Sequence, residues 1–371
     1  MGLVTTAGAK FLLVSLLAAS PAKDKEPALL AAPPAGVPVV KESPPPAKAT
    51  LTKETPVANT ADPAQGPDIE ASVSLSRSGL PPVDPNAEVV WSLQTEGTIS
   101  LLRPQTVVDG QIMVAQIEGS PKCERVRVTW MGQRHDAFPV DGVHQVLLPV
   151  RLALNAGDQT LKVRCSGREA KFIVQVSEGT FPESKLSVDP KFDKAAPPRV
   201  VEESAAIKHA WTLGETRRQW NKTFTRPAKG IDTSPFGVRR TFNGKIEGRH
   251  RGLDIDGKNG DPIFATNDGK VVLVADDFYY IGNAVFLDHG AGLFTIYFHM
   301  TKAMVKEGER VRRGQRIGTI GKTGRVTGPH LHFGVKLADT YVNPIDLLAY
   351  TGERIYATRT NVTTMRDAAP R

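Results

Sequence analysis

Thr327-Gly328-Pro329-His330-Leu331-His332-Phe333-Gly334-Val335 sets two imidazoles two residues apart, just ahead of an apolar run. On an extended chain, residues two apart share a face. His330 and His332 therefore look into one cleft while Leu331 packs into a core. Similar strand-like runs lie upstream. They are Gly269-Lys270-Val271-Val272-Leu273-Val274, Ala284-Val285-Phe286-Leu287 and Leu293-Phe294-Thr295-Ile296-Tyr297, separated by glycine-rich turns. From Phe224 to about Leu348 the chain reads as a β-domain.

Two further histidine segments precede this one. His250-Arg251-Gly252-Leu253-Asp254 pairs an imidazole with a carboxylate, both ligands that zinc accepts. Gly248 and Gly252 argue against a helix here, so His250 falls in a loop and Asp254 opens a strand. The segment lacks the glutamate base of the H-E-x-x-H helix and is not that kind of protease. Ile296-Tyr297-Phe298-His299 ends the third run. Simple alternation puts His299 at the strand end, on the face of Tyr297 and Thr295. A catalytic zinc keeps three protein ligands and one open position. These segments offer three ligands with two histidines left for proton transfer or oxyanion stabilisation. The other histidines, His135, His144, His209 and His289, stand outside the constellation and read as surface or hydrogen-bonded core residues.

Taken together, these pieces resemble the lysostaphin-type zinc metallopeptidase domain. The matching segments keep their order: Ser234-Pro235-Phe236-Gly237-Val238-Arg239, His250-x-x-x-Asp254, Tyr297-Phe298-His299-Met300, Gly308-x-x-Val311-x-x-Gly314-Gln315-x-Ile317-Gly318, and Thr327 to Phe333, closing at Asn343-Pro344. The resemblance implies an antiparallel β-sheet groove with long loops. It implies that His250, Asp254 and His332 bind Zn2+ and that His299 and His330 serve catalysis. The substrates it implies are peptide cross-links of bacterial peptidoglycan, cleaved by an endopeptidase. Some members carry a tyrosine shortly before the first motif, where this chain has Arg240-Thr241-Phe242-Asn243. The alternative function is a non-catalytic wall-binding activator of another hydrolase. Such proteins commonly lack a ligand, and this chain lacks none.

The half before the metal motifs divides by composition. Residues 1–22 have the order of a signal peptide: Lys10, the short apolar core Phe11 to Ala19, then mostly small residues to Ala22. An uncleaved segment would instead keep the protein near the membrane. Residues 23–86 are rich in proline and alanine and read as a disordered linker. Residues 87–180 alternate like short strands, as in Val126-Arg127-Val128-Thr129-Trp130, and suggest an Ig-like β-sandwich. Cys123 and Cys165 both lie in that region. Export permits a disulfide between them, and two separate buried thiols fit the same spacing. Residues 181–223 form a connector with a helix from about Pro198 to Trp220, with Pro197 and Pro198 at its start and Val200, Val201, Ala205, Ile207 and Trp211 at roughly helical intervals. Residues 349–371 read as a flexible polar tail.

The 371-residue chain has 47 Lys+Arg against 39 Asp+Glu, a net charge of +8. That balance favours anionic polymers and surfaces in general. The positive charges are scattered with no basic-aromatic stripe, so no nucleic-acid partner is expected. The combined expectation is a mostly β, exported zinc endopeptidase of the periplasm or cell envelope.

Overall fold

The computed structural model describes residues 89–119, 122–154, 156–194, 196–220, 223–356 and 362–364. The expected signal peptide and linker lie outside them. Residues 89–177 form two sheets packed face to face. One contains the strands Trp91–Glu96, Ile99–Pro104, Ile112–Gly119, Val143–Pro149 and Phe138–Val140. The other contains Val107–Val108, Arg168–Ser177, Gly157–Cys165, Val126–Trp130 and Gln133–Asp136. The alternation of Val126, Val128 and Trp130 holds. All three are buried in the sandwich core, while Arg127 is exposed. Cys123 and Cys165 are joined as a disulfide within that core.

The second body is a ten-stranded sheet. Its main path runs Asp232–Ser234, Leu253–Asp256, His330–Leu337, Leu293–Ala303, Gly282–Asp288, Gly269–Phe278, Arg310–Val311, with antiparallel pairing throughout. One face packs into the main core through Leu253, Ile255, Leu331, Phe333 and Tyr297. The opposite face carries Phe286, Phe294 and Ile296 and is partly covered by helix α1 (Arg199–Thr212). Trp211 packs edge-on to Phe294, with ring centroids 5.1 Å apart, and tilts over Phe286.

The connector differs from its sequence reading in two ways. Helix α1 stops at Thr212, and its buried positions are Val200, Glu203, Ile207 and Ala210, spaced three and four apart. Val201 and Ala205 face solvent instead. Glu203 is tolerated inside because it accepts from Tyr279 N at 2.9 Å and lies 3.4 Å from the Arg199 guanidinium. In addition, Glu183–Leu186 forms a strand. It pairs in parallel with Arg239–Phe242, which turns through Asn243-Gly244 into Lys245–Arg249. Both turn residues have positive φ, as a two-residue hairpin requires.

The expectation of a flexible tail does not describe residues 349–355. After helix α2 (Pro344–Leu348) the chain lies along the sandwich. Tyr350 Oη donates to Gln145 Oε1 at 2.9 Å, Gln145 Nε2 to Glu353 O at 2.6 Å, and Ile355 N to Gln116 Oε1 at 2.9 Å. Val362–Thr364 adds a parallel edge strand to Trp91–Glu96. Gln116 and Gln145 are buried, and the tail backbone supplies their partners.

Candidate metal and catalytic site

Strand register assembles half of the site. Asp254 lies directly opposite His332, and Asp256 opposite His330. Because Leu253, Ile255, Leu331 and Phe333 point into the core, the intervening Asp254, His330 and His332 face the groove. His250 follows the Lys245–Arg249 strand. Its N–H donates to Val238 O at 2.7 Å, and its carbonyl accepts from Gly237 N at 2.8 Å. Gly252 completes the approach. A Cβ there would lie 2.6 Å from His332 Nε2 and 2.7 Å from Phe333 O, so only glycine lets the loop pass beside the ring.

The donor atoms converge. His250 Nε2 is 3.0 Å from Asp254 Oδ1 and 3.0 Å from His332 Nδ1, and His332 Nδ1 is 2.9 Å from Asp254 Oδ1. All three residues are buried. His250 Nδ1 lies 2.7 Å from Pro235 O. A carbonyl only accepts, so Nδ1 carries the ring proton and Nε2 carries a lone pair. Burial lowers the His250 pKa to about 4, with the Arg240 charge acting in the same direction, so the ring is neutral at pH 7. Burial pushes the Asp254 carboxyl up. The paired Arg240 guanidinium is among the partners that override it and hold the group well below the usual carboxylate range. Burial also lowers His332. The 3.0 Å contact between His250 Nε2 and Asp254 Oδ1 is thus lone pair against lone pair. A cation between them turns that repulsion into ligation, so the residues present fit a divalent metal. Arg240 pairs with Asp254 Oδ2 and also donates to Ser234 Oγ at 2.8 Å. Oδ2 is thereby occupied and Oδ1 is left for the cluster.

His299 joins by a different route from the one alternation suggests. Its strand does not end there; it runs on to Ala303. Strict alternation would turn His299 toward the core side with Tyr297. Instead His299 has φ +63°. The pairing Val285↔Tyr297 then Asn283↔Met300 places one extra residue on the His299 strand, a β-bulge. The bulge brings Phe298 and His299 together on the groove side. Phe298 stacks on His332 at 5.1 Å between centroids, and His299 lies 4.9 Å from the His330 ring. His299 Nδ1 donates to Thr323 O at 2.9 Å, and His330 Nδ1 to Gly328 O at 2.9 Å. The neutral His299 ring therefore keeps Nε2 as a free acceptor. Burial, reinforced by His330 and His332, holds the His299 pKa well below the usual imidazole value.

The cluster sits between two lobes of a groove. One, of about 450 Å³, is walled by Ser184, Leu186, Asp256, Thr327 and His330. The other, of about 490 Å³, is walled by Ile207, Arg251, Phe278, Tyr280, Phe298 and Tyr341, and reaches Leu152 and Ala153 of the sandwich. Arg240, Phe242, His299 and Arg325 border both. Sequence reasoning brought out the five motif residues but none of these arginines. The hairpin that presents Arg240 did leave a signal, Asn243-Gly244 between two short strands. Of the remaining histidines, His289 is core, bonded to Asp268 O and Thr295 Oγ1 at 2.7 Å each. Tyr280 lines the groove, while Asn343 caps α2.

Residues 248–344 match the family model described as Peptidase family M23. The chain is 45% identical over 94 residues to the peptidoglycan DD-endopeptidase ShyA of Vibrio cholerae, covering 25% of this chain and 22% of that protein. It is 43% identical over 114 residues to ShyC, also called a peptidoglycan DD-endopeptidase, of the same organism, covering 30% and 26%. The matched stretch thus spans only about a quarter of these relatives' length. A Pseudomonas aeruginosa crystal structure assigned to peptidase M23 is 28% identical with a TM-score of 0.51, covering 65% of this chain and 94% of that one. That likeness extends well upstream of residue 248, because it covers far more of the chain than the family segment does. With the order of motifs, the convergent donors and the shared fold in agreement, this chain carries a domain of Peptidase family M23.

Proposed function

We propose that the protein is an exported zinc-dependent endopeptidase that hydrolyses peptide cross-links of bacterial peptidoglycan. The observation that carries this reading is the triangle of His250 Nε2, Asp254 Oδ1 and His332 Nδ1, at the floor of a groove long enough for a peptide. Two histidines and one carboxylate are a zinc set, and three ligands leave a position for chemistry. The names of the Vibrio cholerae relatives support the substrate class. Residues 1–22 support export to the cell envelope, with membrane proximity if the segment stays uncleaved.

In this reading, bound zinc supplies Lewis-acid polarisation and a water acidified toward pH 7. The protein's own residues do the rest. His299, neutral and with Nε2 bare, accepts the proton of the attacking water. His330, less buried and close to Asp254, stands where the scissile carbonyl oxygen becomes negative and where the leaving amine needs a proton. Phe298 stacks nearly parallel on the His332 ring and shields that face from water. Arg240 holds Asp254 so that one oxygen alone faces the cluster. Incubating the zinc-loaded protein with purified peptidoglycan and identifying the released peptides tests the function. Release of cross-link fragments that stops on chelation is expected. No release by zinc-loaded, folded protein overturns it.

A further inference from the structure

The two lobes of the groove differ in charge. In the first lobe, the exposed Asp256 carboxylate accepts from Gly257 N at 2.9 Å, and Glu183 pairs with Arg239 at the rim. In the second lobe the balance reverses. Arg251 follows the ligand His250 in the chain and lines this lobe only, with its guanidinium over the Tyr341 ring at 5.3 Å. Among the described residues no carboxylate lies within ion-pair distance of it. Arg325 borders the same space, stacked on Phe242 at 4.2 Å and Tyr280 at 4.8 Å. The one acid in that wall, Glu203, is already taken up by Arg199 and Tyr279 N. The floor is apolar, made by Ile207, Ile296 and Phe298.

An apolar floor beside a guanidinium that has no carboxylate partner selects a definite chemistry. The floor accepts an aliphatic chain, and the arginine, spread flat on an aromatic ring, presents its fork to a planar anion. Resting on the peptidoglycan reading, we propose that Arg251 determines specificity by binding a free carboxylate on the aliphatic residue that fills the second lobe. The groove is thereby polarised. The half of the cross-linked peptide with the free carboxylate lies over Phe298 and Tyr341, and the other half lies toward Asp256.

The test uses two cross-linked peptides with an uncleavable isostere at the scissile bond. They are identical except that the residue for the second lobe carries a carboxylate in one and a primary amide in the other. Their affinities for the zinc-loaded full chain are measured by calorimetry. The parental protein should bind the acid about 10- to 100-fold more tightly than the amide, as a charge-assisted hydrogen bond allows. Arg251→Gln should bring the acid down to the amide's affinity. Arg251→Lys should keep part of the preference, with melting temperatures unchanged in both variants. Equal binding of the two peptides, no binding of either, or a preference that survives Arg251→Gln overturns the proposal. Binding is read apart from turnover. A preference that depends on Arg251 in a protein that releases nothing from peptidoglycan would sustain this inference and reject the endopeptidase reading.

Discussion

Gly252 and His299 carry opposite demands on the backbone, and both serve the same cluster. Gly252 is needed because the His332 ring lies where its Cβ would be. Gly252→Ala should therefore displace His332 and lose bound zinc while the fold persists. Elemental analysis beside a far-UV spectrum checks this. His332→Ala should lose the metal in the same way, and full zinc in either variant would count against the ligand assignment. His299 occupies a left-handed conformation, which costs a non-glycine residue roughly 1–2 kcal/mol. Replacement by alanine would mix lost chemistry with retained strain. His299→Gly separates them, since glycine takes that conformation freely. His299→Gly and His330→Ala should both retain zinc. Each should lose about 10²–10⁴-fold in kcat. Parental rates of peptidoglycan hydrolysis in both variants would end their proton roles.

Short elements set how the sheet meets its surroundings. Helix α2 is only one turn and a fraction, yet it ties the two bodies together. Asp346 Oδ2 accepts from Ile112 N at 2.8 Å, and Asn343 N donates to Gly110 O at 2.8 Å. Burial raises the Asp346 pKa to about 7. The folded state therefore holds that proton more tightly than the unfolded chain does. Its contribution to stability is complete below about pH 4, declines as pH rises toward 7, and is gone above that. Asp346→Asn keeps an acceptor for Ile112 without the charge. The variant should match the parent near pH 4 and exceed it at pH 8 by no more than about 4 kcal/mol. Thermal melts across that range decide this, and parallel curves for both proteins would refute it. The Arg239–Arg249 hairpin works on the same scale. Its pairing with Glu183–Leu186 holds Arg240 beside Asp254, so a connector strand outside the matched family segment helps shape the candidate site.

At the scale of the molecule, the sandwich and the peptidase sheet share a boundary. Ile112 and Leu147 belong to the peptidase core cluster, and Leu152 and Ala153 reach the second lobe. Removing residues through Ser177 should leave the connector, the hairpin and zinc binding in place but raise KM through loss of that wall. Removing residues through Trp220 takes away Glu183–Leu186, α1 and Trp220 as well. It should lower the melting temperature sharply, since each large buried side chain contributes about 1.5–3 kcal/mol. Kinetics and melts on the two truncations check both statements. An unchanged KM after the shorter truncation would leave the sandwich with no part in the groove.

The sequence by itself determined the main strands around the motifs and singled out the five motif residues. Local rules suffice there: alternation puts His330 and His332 on one face, and glycines keep His250 and Asp254 out of a helix. It also suggested the sandwich, through runs such as Val126 to Trp130. Other features depended on contacts distant along the chain. His299 reaches the groove because neighbouring strands impose a bulge that no period-two pattern announces. Residues 349–355 are held because buried Gln116 and Gln145 need partners, although the segment itself is polar. Arg240 and Arg251 matter because register and loop path bring them beside Asp254 and Tyr341. A local pattern fixes which face a side chain takes, and only the packing of separate strands decides which faces meet.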